Sequence, residues 1–290
     1  MKSHVAIRPV TKIQANNIVA ENACENLDRF VGGSRLTGLI KQSRPRQPLI
    51  TIITATFNVA DDLPITIKSI RDQLYENVEW IVVDGGSTDQ TVNLLKQSED
   101  VIDYWVSEPD KGIYDAWNKG ILLAKGEWIA FLGAGDRYKK GALSSYVMEI
   151  NSSTLEPEFV SSRVQLIKSD GTILRTVGNP FDWKKVKKHM TIAHAGALHH
   201  TNLFNNYGFF DTTYSSSGDY EFLMRCGKNL SAIYMNNVTV EMLAGGISGG
   251  YKGKFETYLI QKKYGGGIAA KFRFWFACIK RFIRPFLMGY

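Results

Sequence analysis

Cysteine is scarce in this chain: three in 290 residues, Cys24, Cys226 and Cys278, widely spaced and outside any C-x-x-C pattern. That excludes a disulfide scaffold and a thiolate zinc site, and it suits a reducing compartment. No uninterrupted apolar run reaches the roughly 18 residues needed to span a bilayer, and no basic segment followed by an apolar stretch opens the chain. The expectation is a protein neither secreted nor membrane-spanning. No G-x-G-x-x-G follows the first strand-like run, where Thr56-Phe57-Asn58-Val59-Ala60 stands instead, which disfavours a dinucleotide-dependent dehydrogenase. Internal repeats and low-complexity tracts are lacking too. Acidic residues are nearly missing from 251–290, where nine Lys and Arg face Glu256 alone and account for the whole formal charge of +7. The basic balance therefore describes a tail, and no nucleic-acid partner is expected.

What is present is an alternation of apolar runs and amphipathic stretches. Hydrophobic residues make up 44% of the chain, enough for a substantial core. Trp80 to Val83 reads as a buried strand, and it ends abruptly in Asp84, Gly85 and Gly86 before Ser87, Thr88 and Asp89. Two glycines let backbone approach a ligand, and the polar residues can cap a following helix whose N-terminus favours an anion. On its own the segment is equally an ordinary strand-turn-helix with a capping Asp. Leu49 to Ala55, Ile102 to Val106 and Trp128 to Leu132 read as further strands, the last running into Gly133-Ala134-Gly135-Asp136. Leu63, Ile67, Ile70 and Leu74 recur at helical spacing, as do Ile113, Ala116, Trp117, Gly120, Ile121 and Ala124. Strands alternating with helices predict a parallel sheet with ligands at the strands' carboxyl ends.

After Gly141 the alternation weakens. Phe159 to Ile167 and Thr172 to Val177 read as a hairpin, Gly218 to Arg225 as the start of a helix with acids in its first turn, and Val238 to Leu243 as a last short strand. The expected division is an extension and linker over 1–47 with a short helix from Gln14 to Leu27, a catalytic domain over 48–250, and a basic helical tail over 251–290.

Five segments, in order, carry a resemblance: Thr54 to Asn58, Val82 to Asp89, Ser107 to Gly120, Phe131 to Asp136, and Gly218-Asp219-Tyr220-Glu221. Together they span about residues 48–250, and on them the chain resembles a family 2 glycosyltransferase of the kind that builds bacterial surface polysaccharides. The resemblance implies a GT-A fold: α/β, with a Rossmann-like, mostly parallel sheet flanked by helices and an acceptor-side half, to which this chain adds the basic aromatic C-terminal tail.

It also implies roles. Thr56, Asn58 and Asp84 would cradle the base and ribose of a nucleotide-sugar donor, expected to be a UDP-sugar. Asp110, Lys111 and Gly112 would lie by the nucleotide and its diphosphate, and His194 near the acceptor or diphosphate. Asp136 matches the last acid of the family's metal motif, where a carboxylate helps to bind Mg²⁺ or Mn²⁺ across the phosphates. Gly133 and Gly135 depart from the commoner pattern, in which side-chain oxygens sit there. Asp219 matches the general base of an inverting transfer, with Glu221 as second candidate; on one helix the two would point in different directions. Alternatives stay open. Asp136 could cap a turn, the two acids could complement a helix N-terminus, Arg225 could bind phosphate or pair with Asp211 or Glu221, and the chain could be a silent sugar-nucleotide-binding subunit.

The tail interleaves Phe272, Phe274, Trp275, Phe276, Ile279, Phe282 and Ile283 with Lys271, Arg273, Lys280, Arg281 and Arg284. Such a pattern suits the headgroup region of an anionic membrane, or the packing face of a terminal helix. The expected location is cytoplasmic, peripheral on the inner face of the cytoplasmic membrane through residues 266–290, facing a lipid-linked saccharide acceptor.

Overall fold

Strands β2 (Ile50–Thr56) and β3 (Val78–Asp84) are buried along nearly their whole length. Continuous apolar, β-branched runs of this kind suit the middle of a parallel sheet covered on both faces. β4 (Tyr104–Ser107) and β5 (Trp128–Phe131) complete a parallel block in the order β4-β3-β2-β5. Helices α1 (Leu63–Arg71), α2 (Thr91–Gln97) and α3 (Ile113–Leu123) make the crossovers. The order reverses at β2, between β3 and β5, so the carboxyl ends of these strands open a crevice where α/β sheets take ligands.

This computed structural model describes residues 29–245, 250–266, 270–272 and 275. Among them, ten strands form one sheet in the order β1-β4-β3-β2-β5-β9-β7-β10-β6, with β8 paired to the later part of β7, beyond the stretch that pairs with β9. The added strands are β1 (Phe30–Gly32), β6 (Arg137–Tyr138), β7 (Phe159–Ile167), β8 (Ile173–Val177), β9 (Ala197–His200) and β10 (Ala232–Leu243). The β7–β8 hairpin is present as expected, antiparallel. β10 is longer than the short strand expected from Val238, because it pairs in parallel with β7 from Ala232 onward. The helices of this half are α4 (Ala142–Ser152), α5 (Trp183–Val186), α6 (Thr201–Tyr207), α7 (Gly218–Cys226) and α8 (Tyr251–Lys263). One face of the sheet packs α1, α2 and α4 through Leu63, Ile67, Leu95, Leu143 and Tyr146 around Trp80. The other packs α3, α6 and α7 through Tyr114, Ile121, Phe204 and Phe222 around Phe131.

Two expected boundaries move. The segment before residue 48 is not a bare linker: β1 adds an antiparallel edge to β4, and Arg35 reaches Glu79 on β3 at 2.7 Å. Glu79 is 2% exposed, and its other oxygen accepts from the Thr51 hydroxyl and the Lys125 amide. Replacing Arg35 with Ala leaves that carboxylate without its cation, and a loss of about 3 kcal/mol is expected in urea unfolding. The expected helix over 14–27 lies outside the described residues. At the other end, α8 belongs to the folded body, with Ile260 packed against Val186, Tyr220 and Met224. Of the tail over 266–290, only 266, 270–272 and 275 are described. Among the described residues no helix is long and apolar enough to cross a membrane.

Candidate active site

The carboxyl end of β3 delivers Asp84, fully buried, into a loop that its side chain organises. Oδ1 accepts from the hydroxyls of Thr56 (2.8 Å) and Ser87 (2.5 Å). Oδ2 accepts from the amides of Gly86 and Ser87 and from the Ser107 hydroxyl at 2.7 Å. Five donors from three strand ends saturate the carboxylate. The sequence suggested direct contact between Asp84 and the nucleoside; here both oxygens are given to the protein, and the loop takes its shape from them. Replacing Asp84 with Asn puts an amide NH₂ against some of those donors. A stability loss of about 1–3 kcal/mol is expected, read by thermal unfolding.

Asn58, at the end of β2, adopts φ 51°, a left-handed conformation that Asn tolerates better than most side chains. Its Oδ1 accepts from the Thr88 backbone amide at 2.9 Å, and its backbone N–H donates to Ser87 Oγ at 2.8 Å, so the loops after β2 and β3 are stitched together. Beside them Phe57 is 61% exposed. The sequence reading passed over it, although a large aromatic at a strand end in a ligand crevice is a signal in itself.

Asp110 sits across from this loop. A side chain at Gly85 would come within 2.8 Å of its carboxylate, so the glycine is what allows the approach. Burial raises its pKa, while the Gly112 amide, donating at 2.8 Å, opposes the rise. Glu108, held by Arg29 and Lys119, anchors the preceding turn. Gly112, at φ 111°, begins α3, and Lys111 beside it is exposed.

Asp136 follows β5 and is 9% exposed. Its Oδ1 accepts from the Leu243 amide at 3.0 Å, and its carboxylate lies where a side chain at Gly133 would have been, 2.9 Å from that position. The Thr66 hydroxyl donates to its backbone carbonyl at 2.8 Å. Burial pushes its pKa to about 7, against hydrogen bonds from Leu243 and Gly133, and the nearby charge of Asp62 adds to the rise. A buried carboxylate held by backbone amides, with no cation paired to it among the described residues, is suited to a divalent ion. Among the described residues no three acidic, His or Cys side chains cluster, so Asp136 would be a lone protein ligand to such an ion.

Helix α3 then runs from the turn that holds Asp110 to the head of α7. Its Tyr114 hydroxyl donates to Asp219 Oδ1 at 3.1 Å, and burial with the Asp219 charge raises the tyrosine's pKa. One turn on, Trp117 stacks on His194 at 5.1 Å, which also lies against Phe131. Burial lowers the pKa of His194, and the Asp219 charge pulls the other way, so an uncharged imidazole with an unpartnered Nε2 faces the same region. Asp219 and Glu221 open α7 but diverge. Glu221 is 1% exposed and saturated: Arg225 donates at 2.9 Å, Lys263 at 2.9 Å and Tyr264 at 2.6 Å. A carboxylate bound by two cations is no base, and the expectation for Glu221 gives way to a structural role. Arg225 is likewise spent on Glu221 and the carbonyls of Tyr207 and Phe209.

The sequence profile of glycosyl transferase family 2 matches residues 51–210. This chain belongs to that family. A family relative, the PGL/p-HBAD biosynthesis glycosyltransferase Rv2957 of Mycobacterium tuberculosis, is 32% identical over 203 residues, covering 66% of this chain and 75% of the relative. Among solved structures, S. aureus TarS 1-349 in complex with UDP-GlcNAc superposes with a TM-score of 0.59 at 16% identity, over 74% of this chain and 65% of that one. The mannosyltransferase PcManGT from Pyrobaculum calidifontis, in complex with GDP-Man and Mn²⁺, gives 0.54 at 19% identity, over 87% of this chain and 71% of that one. At these identities the likeness shows the GT-A fold. The family segment takes in Thr56, Asn58, Asp84, Asp110, Lys111, Gly112, Asp136 and His194, whereas α7 with Asp219 lies past its end.

Proposed function

We propose that this family 2 enzyme is an inverting transferase that moves a sugar from a UDP-sugar to a lipid-linked saccharide in cell-surface polysaccharide biosynthesis (O-antigen, capsule or exopolysaccharide). The observation that carries the reading is Asp219: an acid at the head of α7, partly exposed, whose one side-chain hydrogen bond among the described residues comes from Tyr114, beside a neighbour, Glu221, that is saturated. The relative's role in PGL/p-HBAD biosynthesis and the UDP-GlcNAc and GDP-Man held by the two structural neighbours support a nucleotide-sugar donor.

In this reading Phe57 offers a ring face to the base, and the loops pinned by Asp84 and Asn58 hold the nucleoside. Lys111 and the N-terminus of α3 meet the diphosphate, where positive potential favours the departing charge. Asp136 would hold Mg²⁺ or Mn²⁺, which when bound supplies electrostatic stabilisation to the leaving nucleoside diphosphate. Asp219 takes the acceptor hydroxyl's proton as that oxygen attacks the anomeric carbon opposite the leaving group, while Tyr114 orients the carboxylate. The uncharged His194, beside Trp117, forms part of the wall on which the acceptor rests.

A thermal-shift panel of UDP, GDP, CDP and their sugars, with and without Mn²⁺, tests the donor. Stabilisation by UDP that grows with concentration is expected, and no response to any nucleotide would remove the proposal. Attachment to an anionic membrane through residues 266–290 is tested separately by flotation with phosphatidylglycerol vesicles. Equal flotation of the full chain and a chain lacking 266–290 would remove that part.

A further inference from the structure

The carboxylate of Glu256 is the least explained charge in the molecule. It stands on the inward face of α8, 6% exposed, in line with Gly253 and Ile260, where an apolar residue would pack as Ile260 does. Among the described residues no Lys or Arg pairs with it. Its partners are three successive backbone amides and one hydroxyl. Oε1 accepts from the Ser215 amide at 2.9 Å and the Ser215 hydroxyl at 2.8 Å. Oε2 accepts from the amides of Ser216 at 2.9 Å and Ser217 at 3.0 Å. The Ser217 hydroxyl, in turn, donates to the Gly253 carbonyl on α8 at 3.2 Å.

Burying a charge is costly, and four charge-assisted hydrogen bonds are what offsets it. All four go to the residues that feed α7, and Ser217 immediately precedes Gly218. Gly218 is tightly placed as well: a side chain there would come within 2.9 Å of the Tyr114 ring. The segment 215–218 is thus held from one side by Glu256 and from the other by Tyr114, and Asp219 is the next residue. Resting on the proposed function, we infer that Glu256 is a positioning residue for the transfer: it fixes the entry of α7 so that the Asp219 carboxylate meets the acceptor hydroxyl. The contact joins residues about 40 apart, both beyond the segment that the family profile covers.

The geometry required of a base is strict, and a displacement of about 1 Å can cost on the order of 100-fold in rate. Replacing Glu256 with Gln keeps the volume but sets an NH₂ group against amide donors. The test follows nucleoside-diphosphate release from UDP-GlcNAc, UDP-glucose, UDP-galactose and GDP-mannose, with water or added saccharide as acceptor. It is paired with hydrogen exchange at the amides of 215–217. In Glu256→Gln we expect kcat to fall about tenfold or more while the donor KM stays within about twofold, with exchange at 215–217 accelerated about tenfold or more. Glu256→Asp, which keeps the charge and shortens the reach, carries the same expectation and decides the matter if the Gln variant fails to fold. A folded variant with kcat near that of the wild type, equal losses in kcat and donor affinity, or unchanged exchange at 215–217 overturns the positioning role while leaving the proposed function intact. A wild-type chain that releases no nucleoside diphosphate from any donor overturns the proposed function and the positioning role together.

Discussion

Replacing Asp219 with Asn is expected to lower turnover by about 10²–10⁴-fold, the range a positioned general base supplies. Donor affinity should change little, because in the proposed arrangement the nucleoside lies against the loops after β2, β3 and β4, whereas Asp219 accepts from Tyr114. Asn keeps the shape and still accepts from the Tyr114 hydroxyl, so thermal stability should barely move. Steady-state kinetics with a donor titration by calorimetry checks both halves. A variant that retains full turnover would remove Asp219 from the mechanism. Tyr114→Phe separates orientation from proton transfer: the ring still packs on Gly218, only the hydroxyl is lost, and a decrease smaller than that of Asp219→Asn is expected.

Asp136→Asn should have a comparable effect on turnover and, unlike Asp219→Asn, a marked one on stability. With its carboxyl at about 7 in the folded protein, against an ordinary 3.8, the folded chain keeps a proton between about pH 4 and pH 7 that the unfolded chain has released. Stability therefore falls as the pH rises through that window, by about 4 kcal/mol at most, and levels off above about pH 7. Asn carries no such penalty and can still accept from the Leu243 amide. In metal-free buffer at pH 8 the variant should unfold at a higher temperature than the wild type, and the two should converge near pH 4. Added Mn²⁺ should stabilise the wild type, increasingly so above about pH 7 where the carboxylate is free to bind, and should leave the variant unchanged. If Mn²⁺ shifts both proteins alike, Asp136 is not its ligand.

The two predictions touch different halves of the fold, and the halves were unequally legible. β2, β3, β4 and β5 were visible because a strand covered on both faces must be apolar along its length, and each ended at a recognisable loop. Edge and antiparallel strands bury less and carry weaker patterns. β1, with Phe30 and Val31 exposed, and β9, with its histidines, went unread for that reason. The helix α8 was counted with a tail because its outward residues Tyr251, Phe255 and Leu259 mask the inward Glu256 and Ile260.

Sequence alone determined that carboxylates stand at the carboxyl ends of parallel strands, since alternating strands and helices leave those ends at one edge of the sheet. It named Asp84, Asp136 and Asp219 and, through the family resemblance, gave each an expected role. What surrounds each carboxylate is set by contacts between residues far apart in the chain: Ser107 on Asp84, Leu243 over Asp136, and Tyr114, more than a hundred residues away, on Asp219. That the second candidate, Glu221, is closed off is visible only in the packing, where Lys263 and Tyr264 reach it. Local periodicity reports which face of an element is buried. Which side chain meets which carboxylate, and so which acid is left available to react, is set only when the elements pack.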